Sequence, residues 1–300
     1  MTRRTFLWRT GALIACLTRL TDGARAQPQT QQVTLLSAPL ELTGEWGGSP
    51  PNDARAVILR MRDACLSDVR LLSDRQPAKL RVDDHPSGSP AIWLHDGDGN
   101  PDMAWIIVDI GPLDWCKLAY QFGHELGHVL CNSWQPQAKP KLPSQWLEEA
   151  LVEAFSIRGL GLLANSWEQR PPFPNDSAFA GAIRQYRQDL IEQYRKPVGE
   201  TARPDRPQGR DLCGWLRQNR DALDHTGGVG IIEGPEILRI VAELEGDKAC
   251  VEDLGALNRW PARSEVPLEE YLRLWRTSCA EIHAPGRLPA KLAQSMCAAG

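Results

Sequence analysis

The residues best suited to chemistry in this chain are His124-Glu125-Leu126-Gly127-His128. A helix advances about 100° per residue, so histidines four apart stand one turn above each other on a single face. Two imidazoles so placed can hold one Zn²⁺, and Glu125 between them projects beside the metal, where it can take a proton from water held there. The flanking residues support a helix. Trp115, Leu118, Ala119, Phe122, Leu126, Val129 and Leu130 recur at helical spacing as one apolar stripe. His124 and His128 fall on the opposite flank with Lys117 and Gln121, so they are not core-filling residues of that stripe. Gly127 is a poor helix former, and its missing side chain lets another element approach the metal-bearing turn closely.

A site of this kind needs a third protein ligand and an open fourth position. The metzincin pattern would place a glycine and a third histidine where this chain has Cys131 and Trp134, which excludes that family. Downstream, Trp146-Leu147-Glu148-Glu149-Ala150-Leu151-Val152-Glu153-Ala154-Phe155 forms a second helical pattern with Leu147, Ala150, Leu151 and Ala154 on one side. Glu149 and Glu153 are four apart and share a face, whereas Glu148 points about 100° away. Glu149 is the expected third ligand. Glu153, one turn on, is placed to hydrogen-bond a ligand histidine from outside the metal.

Together, His124-Glu125-x-x-His128 and Trp146-Leu147-Glu148-Glu149-Ala150 resemble the gluzincins, the clan of thermolysin and aminopeptidase N. The resemblance covers residues 115–155. It implies His124, His128 and Glu149 as zinc ligands and Glu125 as general base. It also implies an α+β fold: a zincin-like N-terminal lobe with a small mixed sheet and the metal helix, then an α-helical C-terminal lobe. Ala150 replaces the usual glycine, and no Gly-x-Met-Glu-Asn-type motif lies upstream, so aminopeptidase specificity is not indicated. By the same resemblance an edge strand, Ala91 to Leu94 or Ala104 to Ile110, pairs with extended substrate. A second-lobe donor would hold the oxyanion; His225 is the first candidate, with Tyr186, Tyr194 and Tyr271 as alternatives. The expected activity is endopeptidase-like hydrolysis of a peptide or protein substrate. Two alternatives stand beside it: a non-catalytic binding protein on a zincin scaffold, and a hydrolase of a non-peptide amide. An intact Glu125 favours an enzyme, because a purely structural metal has no use for a general base.

Around the motif, residues 33–36, 79–82, 91–94 and 104–110 read as strands, and 53–65 as a helix. Asp96-Gly97-Asp98-Gly99-Asn100-Pro101-Asp102 reads as a polar hairpin turn rather than a calcium loop, since proline stands where an EF-hand needs glycine and Ile107 where it needs glutamate. Proline-rich stretches at 170–174 and 197–209 separate helical patterns at 178–194, 212–223, 235–244 and 268–282. The expected organisation is an export signal over 1–26, an α+β lobe over 27–135 and a helical lobe over 136–300. The composition, 42% hydrophobic and 24% charged, is that of a globular chain, and most of the 11 tryptophans should line the core or a cleft.

Thr2-Arg3-Arg4-Thr5-Phe6-Leu7, the apolar run 11–17 and Ala24-Arg25-Ala26 resemble a twin-arginine export signal cleaved after Ala26. A general secretory route, or lipidation at Cys16 after Leu13-Ile14-Ala15, are the other readings. The run is too short for an integral membrane span. A periplasmic or secreted location follows. Loss of residues 1–26 removes five arginines and one aspartate, taking the formal charge from −4 to −8. That balance argues against nucleic acid as a partner. Seven cysteines remain, and in an oxidising compartment some should pair while the odd number leaves at least one over. Cys116 and Cys131 flank the zinc motif roughly 22 Å apart on one helix, too far to bridge. Cys131, one turn past His128, lies on the side from which a thiolate could reach the metal.

Overall fold

A computed structural model describes residues 31–72, 76–85, 89–94, 102–195, 212–225, 233–257 and 265–297. In chain order the described elements are β1 (Gln31–Gln32), β2 (Leu40–Gly44), α1 (Pro51–Cys65), β3 (Leu71–Leu72), β4 (Lys79–Asp84), β5 (Ala91–Trp93), β6 (Met103–Val108), α2 (Trp115–Leu130), α3 (Gln145–Gln169), α4 (Phe179–Arg195), α5 (Leu212–His225), α6 (Gly234–Gly246), α7 (Lys248–Glu252), α8 (Leu268–Glu281) and α9 (Arg287–Ser295). The chain is thus mixed in class, with a small sheet and a largely helical remainder.

The sheet runs β2-β4-β6-β5. β2, β4 and β6 are parallel, with Leu42 opposite Val82 and Val82 opposite Ile106, while β5 joins the outer side of β6 antiparallel. Side chains alternate along β4, burying Leu80 and Val82, and these meet Ala104, Ile106 and Val108 of β6 in the core. Pro51 opens α1, where a missing backbone N–H costs nothing, and Val57, Ile58 and Met61 bury its inner side. α3 is buried on nearly every side and packs on α1, α2, α4 and α6. It begins beyond the expected lobe boundary at residue 135, yet it is the common support of helices on both sides of that boundary.

Several expectations need correction. Residues 33–36 form no strand: the chain leaves β1 at Val33 and turns over 35–37, because Gln76 Oε1 accepts the N–H groups of Thr34 (2.8 Å) and Leu35 (3.1 Å) that a neighbouring strand would otherwise take. β2 was not anticipated, nor were α7 and α9. The 96–102 segment lies outside the described residues except for Asp102, but β5 and β6 on either side pair antiparallel, Trp93 opposite Trp105. The export signal and Cys16 also lie outside the described residues. Among the described residues no helix is long and apolar enough to cross a membrane. Cys213 and Cys297 stand as a disulfide pair with Cα atoms 5.3 Å apart; Cys65, Cys116, Cys250 and Cys279 are buried free thiols, and Cys131 is buried. Trp46, Trp146, Trp167 and Trp275 are fully buried in the core, and Trp93 is more than half exposed.

Candidate metal centre

Three polar side chains seat the helix that carries the motif and the loop leading into it. Asp114 caps α2 by accepting the Lys117 N–H at 3.3 Å. The Gln121 amide oxygen accepts the Asp109 N–H at 2.9 Å, tying the helix to the chain leaving β6. Asp84, buried at the end of β4, accepts the N–H groups of Gly47 (3.1 Å) and Ile110 (3.2 Å), fixing the same loop from the other side. α3 then crosses at the glycine. A Cβ on Gly127 would lie 2.8 Å from the Val152 Cβ, so only glycine allows this approach. The sequence-based reading of Gly127 is the geometry found.

That contact brings the ligand candidates together. Glu149 Oε2 lies 3.6 Å from His124 Nε2 and 3.3 Å from His128 Nε2, and the three donor atoms fall within 4.8 Å of one another. Donors at about 2.0–2.1 Å from a tetrahedral ion are separated by about 3.3 Å, so the spacing fits a small divalent cation. The far ring nitrogens are also engaged. His124 Nδ1 is 2.9 Å from Glu153 Oε2, and His128 Nδ1 is 3.1 Å from Glu148 Oε1. An imidazole that donates Nδ1–H to a carboxylate presents the Nε2 lone pair, the arrangement a metal requires. Glu153 is fully buried and accepts hydroxyl hydrogen bonds from Tyr120 (2.9 and 3.0 Å) and Tyr194 (3.0 Å); Glu148, equally buried, accepts one from Ser133.

Charge is concentrated here. Burial alone would depress His124, but hydrogen bonds to Glu149 and Glu153 outweigh it and push the imidazole up to about 9. His128 is likewise raised, burial being outweighed by Glu148 and Glu149. Burial works against the Glu149 carboxylate too, yet the two histidines hold it well below its usual range. Glu125 is only 3% exposed, and desolvation raises its carboxyl against the pull of both histidines. Burial and the Glu153 charge keep the Tyr120 and Tyr194 hydroxyls protonated.

Compared with known proteins, the chain matches no family, no curated protein and no solved structure. The likeness to the gluzincins therefore rests on the motif residues themselves.

The structure unites His124, His128 and Glu149, keeps Glu125 buried between the two histidines on α2, and places Glu153 where the shared-face argument put it. Glu148 stays outside the donor cluster, as its direction 100° from Glu149 implied, but it takes a role the sequence reading did not give it, pairing with His128 Nδ1. The pairing order, His128 with Glu148 and His124 with Glu153, is that of two helices running antiparallel, so the residue 100° around from Glu149 reaches the second histidine. Tyr120, one turn before His124, and Ser133 were also missed; only the 3.6-residue period marked Tyr120. His225 is not in a loop but ends α5. It is 75% exposed, with Nδ1 2.7 Å from its own helix's Asp221 carbonyl, and no described contact joins it to the centre. Among the alternatives, Tyr194 supports Glu153, Tyr186 packs its ring 6.0 Å from Tyr120, and Tyr271 is buried against Trp275. The Cys131 thiol is not part of the three-donor cluster. β5 is the outer strand, whereas β6 is paired on both sides, which distinguishes the two candidate edge strands.

Proposed function

We propose that this chain is a zinc-dependent hydrolase of peptide bonds in which His124, His128 and Glu149 hold the ion and Glu125 is the general base. The observation that carries the reading is the pairing of each histidine Nδ1 with its own buried carboxylate, which turns both Nε2 atoms toward Glu149. A structural site closed by four protein ligands would not leave a buried glutamate between its histidines; Glu125 is that glutamate. When bound, zinc supplies a Lewis acid that polarises the scissile carbonyl and makes water acidic enough to attack. Glu125 then takes a proton from the attacking water and returns it to the departing amide nitrogen. Desolvation, which raises its carboxyl, suits Glu125 to carry that proton between the two steps. β5, hydrogen-bonded on one side only within the sheet, offers its outer edge to an extended substrate backbone. The motif-based export signal and the Cys213–Cys297 pair support a periplasmic or secreted site of action.

Elemental analysis combined with digestion of a broad peptide library tests the reading. Wild type should carry one zinc per chain and cleave peptides. Glu125→Gln should keep the metal and lose a factor of about 10²–10⁴ in turnover. Undiminished turnover by the metal-replete variant would remove Glu125 as base. A zinc-bound wild type that cleaves nothing would favour the binding-protein reading or a non-peptide amide substrate.

A further inference from the structure

Glu153 is a buried carboxylate with more hydrogen-bond donors than one histidine explains. The Tyr120 hydroxyl bridges both of its oxygens at 3.0 and 2.9 Å, and Tyr194 adds a second hydroxyl to Oε1 at 3.0 Å. Oε2 is thereby left facing His124 Nδ1 at 2.9 Å. The two hydroxyls arrive from different helices. Tyr120 lies on α2 itself, one turn before His124, whereas Tyr194 comes from the last turn of α4. The backbone of Tyr194 is held in turn by the start of α6, where a Cβ on Gly234 would lie 2.7 Å from the Tyr194 carbonyl oxygen. The ring of Tyr186, two turns earlier on α4, packs on Tyr120. Phenylalanine would fill the same volume at either position, so what these tyrosines add is the pair of donors.

We propose that Tyr120 and Tyr194 are positioning residues for the metal centre: their hydroxyls lock Glu153 so that His124 keeps Nε2 toward the metal, and Tyr194 couples the seating of α4 to metal binding. The proposal rests on the ligand assignment given above. Glu153 with fixed oxygens holds the His124 ring in one orientation and one tautomer. Without the hydroxyls the carboxylate can rotate, and the ring with it. Coupling is reciprocal: whatever seats α4 favours the metal, and bound metal favours a seated α4.

The test measures zinc affinity by chelator competition for Tyr120→Phe and Tyr194→Phe, each in wild type and in Glu153→Gln, with melting temperatures recorded in chelator. Loss of a partner that orients a metal ligand typically weakens binding 10–100-fold, and each tyrosine variant should show about the lower figure. In the Glu153→Gln background the same changes should cost less than about twofold, because the residue they act through is gone. A purely structural role would lower the melting temperature in chelator and leave zinc affinity where it was. Unchanged affinity in both variants, or an equal loss with Glu153 replaced, overturns the proposal. A second arm needs no metal: side-chain ¹⁵N shifts of His124, taken at a pH where the shifts themselves show the ring to be neutral, should report Nδ1–H in wild type and a mixed tautomer in both variants. Wild type that binds no zinc sinks the ligand assignment, and the tautomer measurement then decides the clamp alone.

Discussion

Glu236, on the first turn of α6, is fully buried, and among the described residues neither carboxylate oxygen meets a hydrogen-bond partner. Desolvation raises its carboxyl from an ordinary 4.5 to about 8, against the attraction of Arg239. The sign of the consequence follows from proton counting. Below about pH 4.5 both folded and unfolded chains hold the proton, and nothing is lost. Between about 4.5 and 8 the unfolded chain releases it while the folded chain keeps it, so stability falls as pH rises. At 1.36 kcal/mol per unit the full cost approaches about 5 kcal/mol, and at pH 7 it is about 3 kcal/mol. Glu236→Gln removes the ionisation with little change of shape. In urea titrations, run in chelator so that metal linkage does not contribute, the variant should match wild type near pH 4 and exceed it by about 3–5 kcal/mol between pH 7 and 8. Parallel pH profiles for the two proteins would show that Glu236 is solvated or paired in solution, and the argument from its burial would fail.

Two further outcomes follow from the centre itself. Gly127→Ala should push α3 off α2, costing about 1–3 kcal/mol in urea melts and weakening zinc as Glu149 recedes, and Val152→Gly, which removes the Cβ it meets at 2.8 Å, should restore zinc affinity; an unaffected single variant would refute the close approach. Hydrogen bonds to buried carboxylates hold the His124 imidazole of the metal-free protein up to about 9 and raise His128 in the same direction. Zinc binding at pH 7 should therefore release protons, read by calorimetry in buffers of different ionisation enthalpy, with affinity rising as pH climbs toward 9. The raised His124 value means that its imidazolium–carboxylate pair stabilises the metal-free protein below about pH 6.5 and ceases to do so as pH passes about 9. Release of no protons would contradict the pairing.

What the amino-acid order made legible was whatever depends on a single helix. His124 and His128 share a face by spacing alone, Glu149 and Glu153 do the same, and Gly127 announces a close neighbour by having no side chain. What it concealed depends on how two helices meet. Glu148 looked misdirected because one helical wheel says nothing of the partner's direction. Tyr194 looked like a candidate oxyanion donor, and only packing of α4 showed it committed to Glu153. Residues 33–36 have the composition of a strand, yet Gln76, more than forty positions away, takes their donors. His225 drew notice because histidine is rare here and glycines follow it; placement at the exposed end of α5 is a property of the whole lobe.

The three donor atoms and both histidine-bound carboxylates lie between His124 and Glu153, on α2, α3 and the connection between them. Gathering them closes only a short loop, and the entropy of closure grows slowly with length. Contacts of such low sequence separation form early in folding, ahead of those that must bring distant segments together. Tyr194 arrives later, from beyond the end of α3. On the ligand assignment proposed above, an α2–α3 hairpin would hold every donor before the rest of the helical lobe is in place, and the docking of α4 would add only the clamp that slows release.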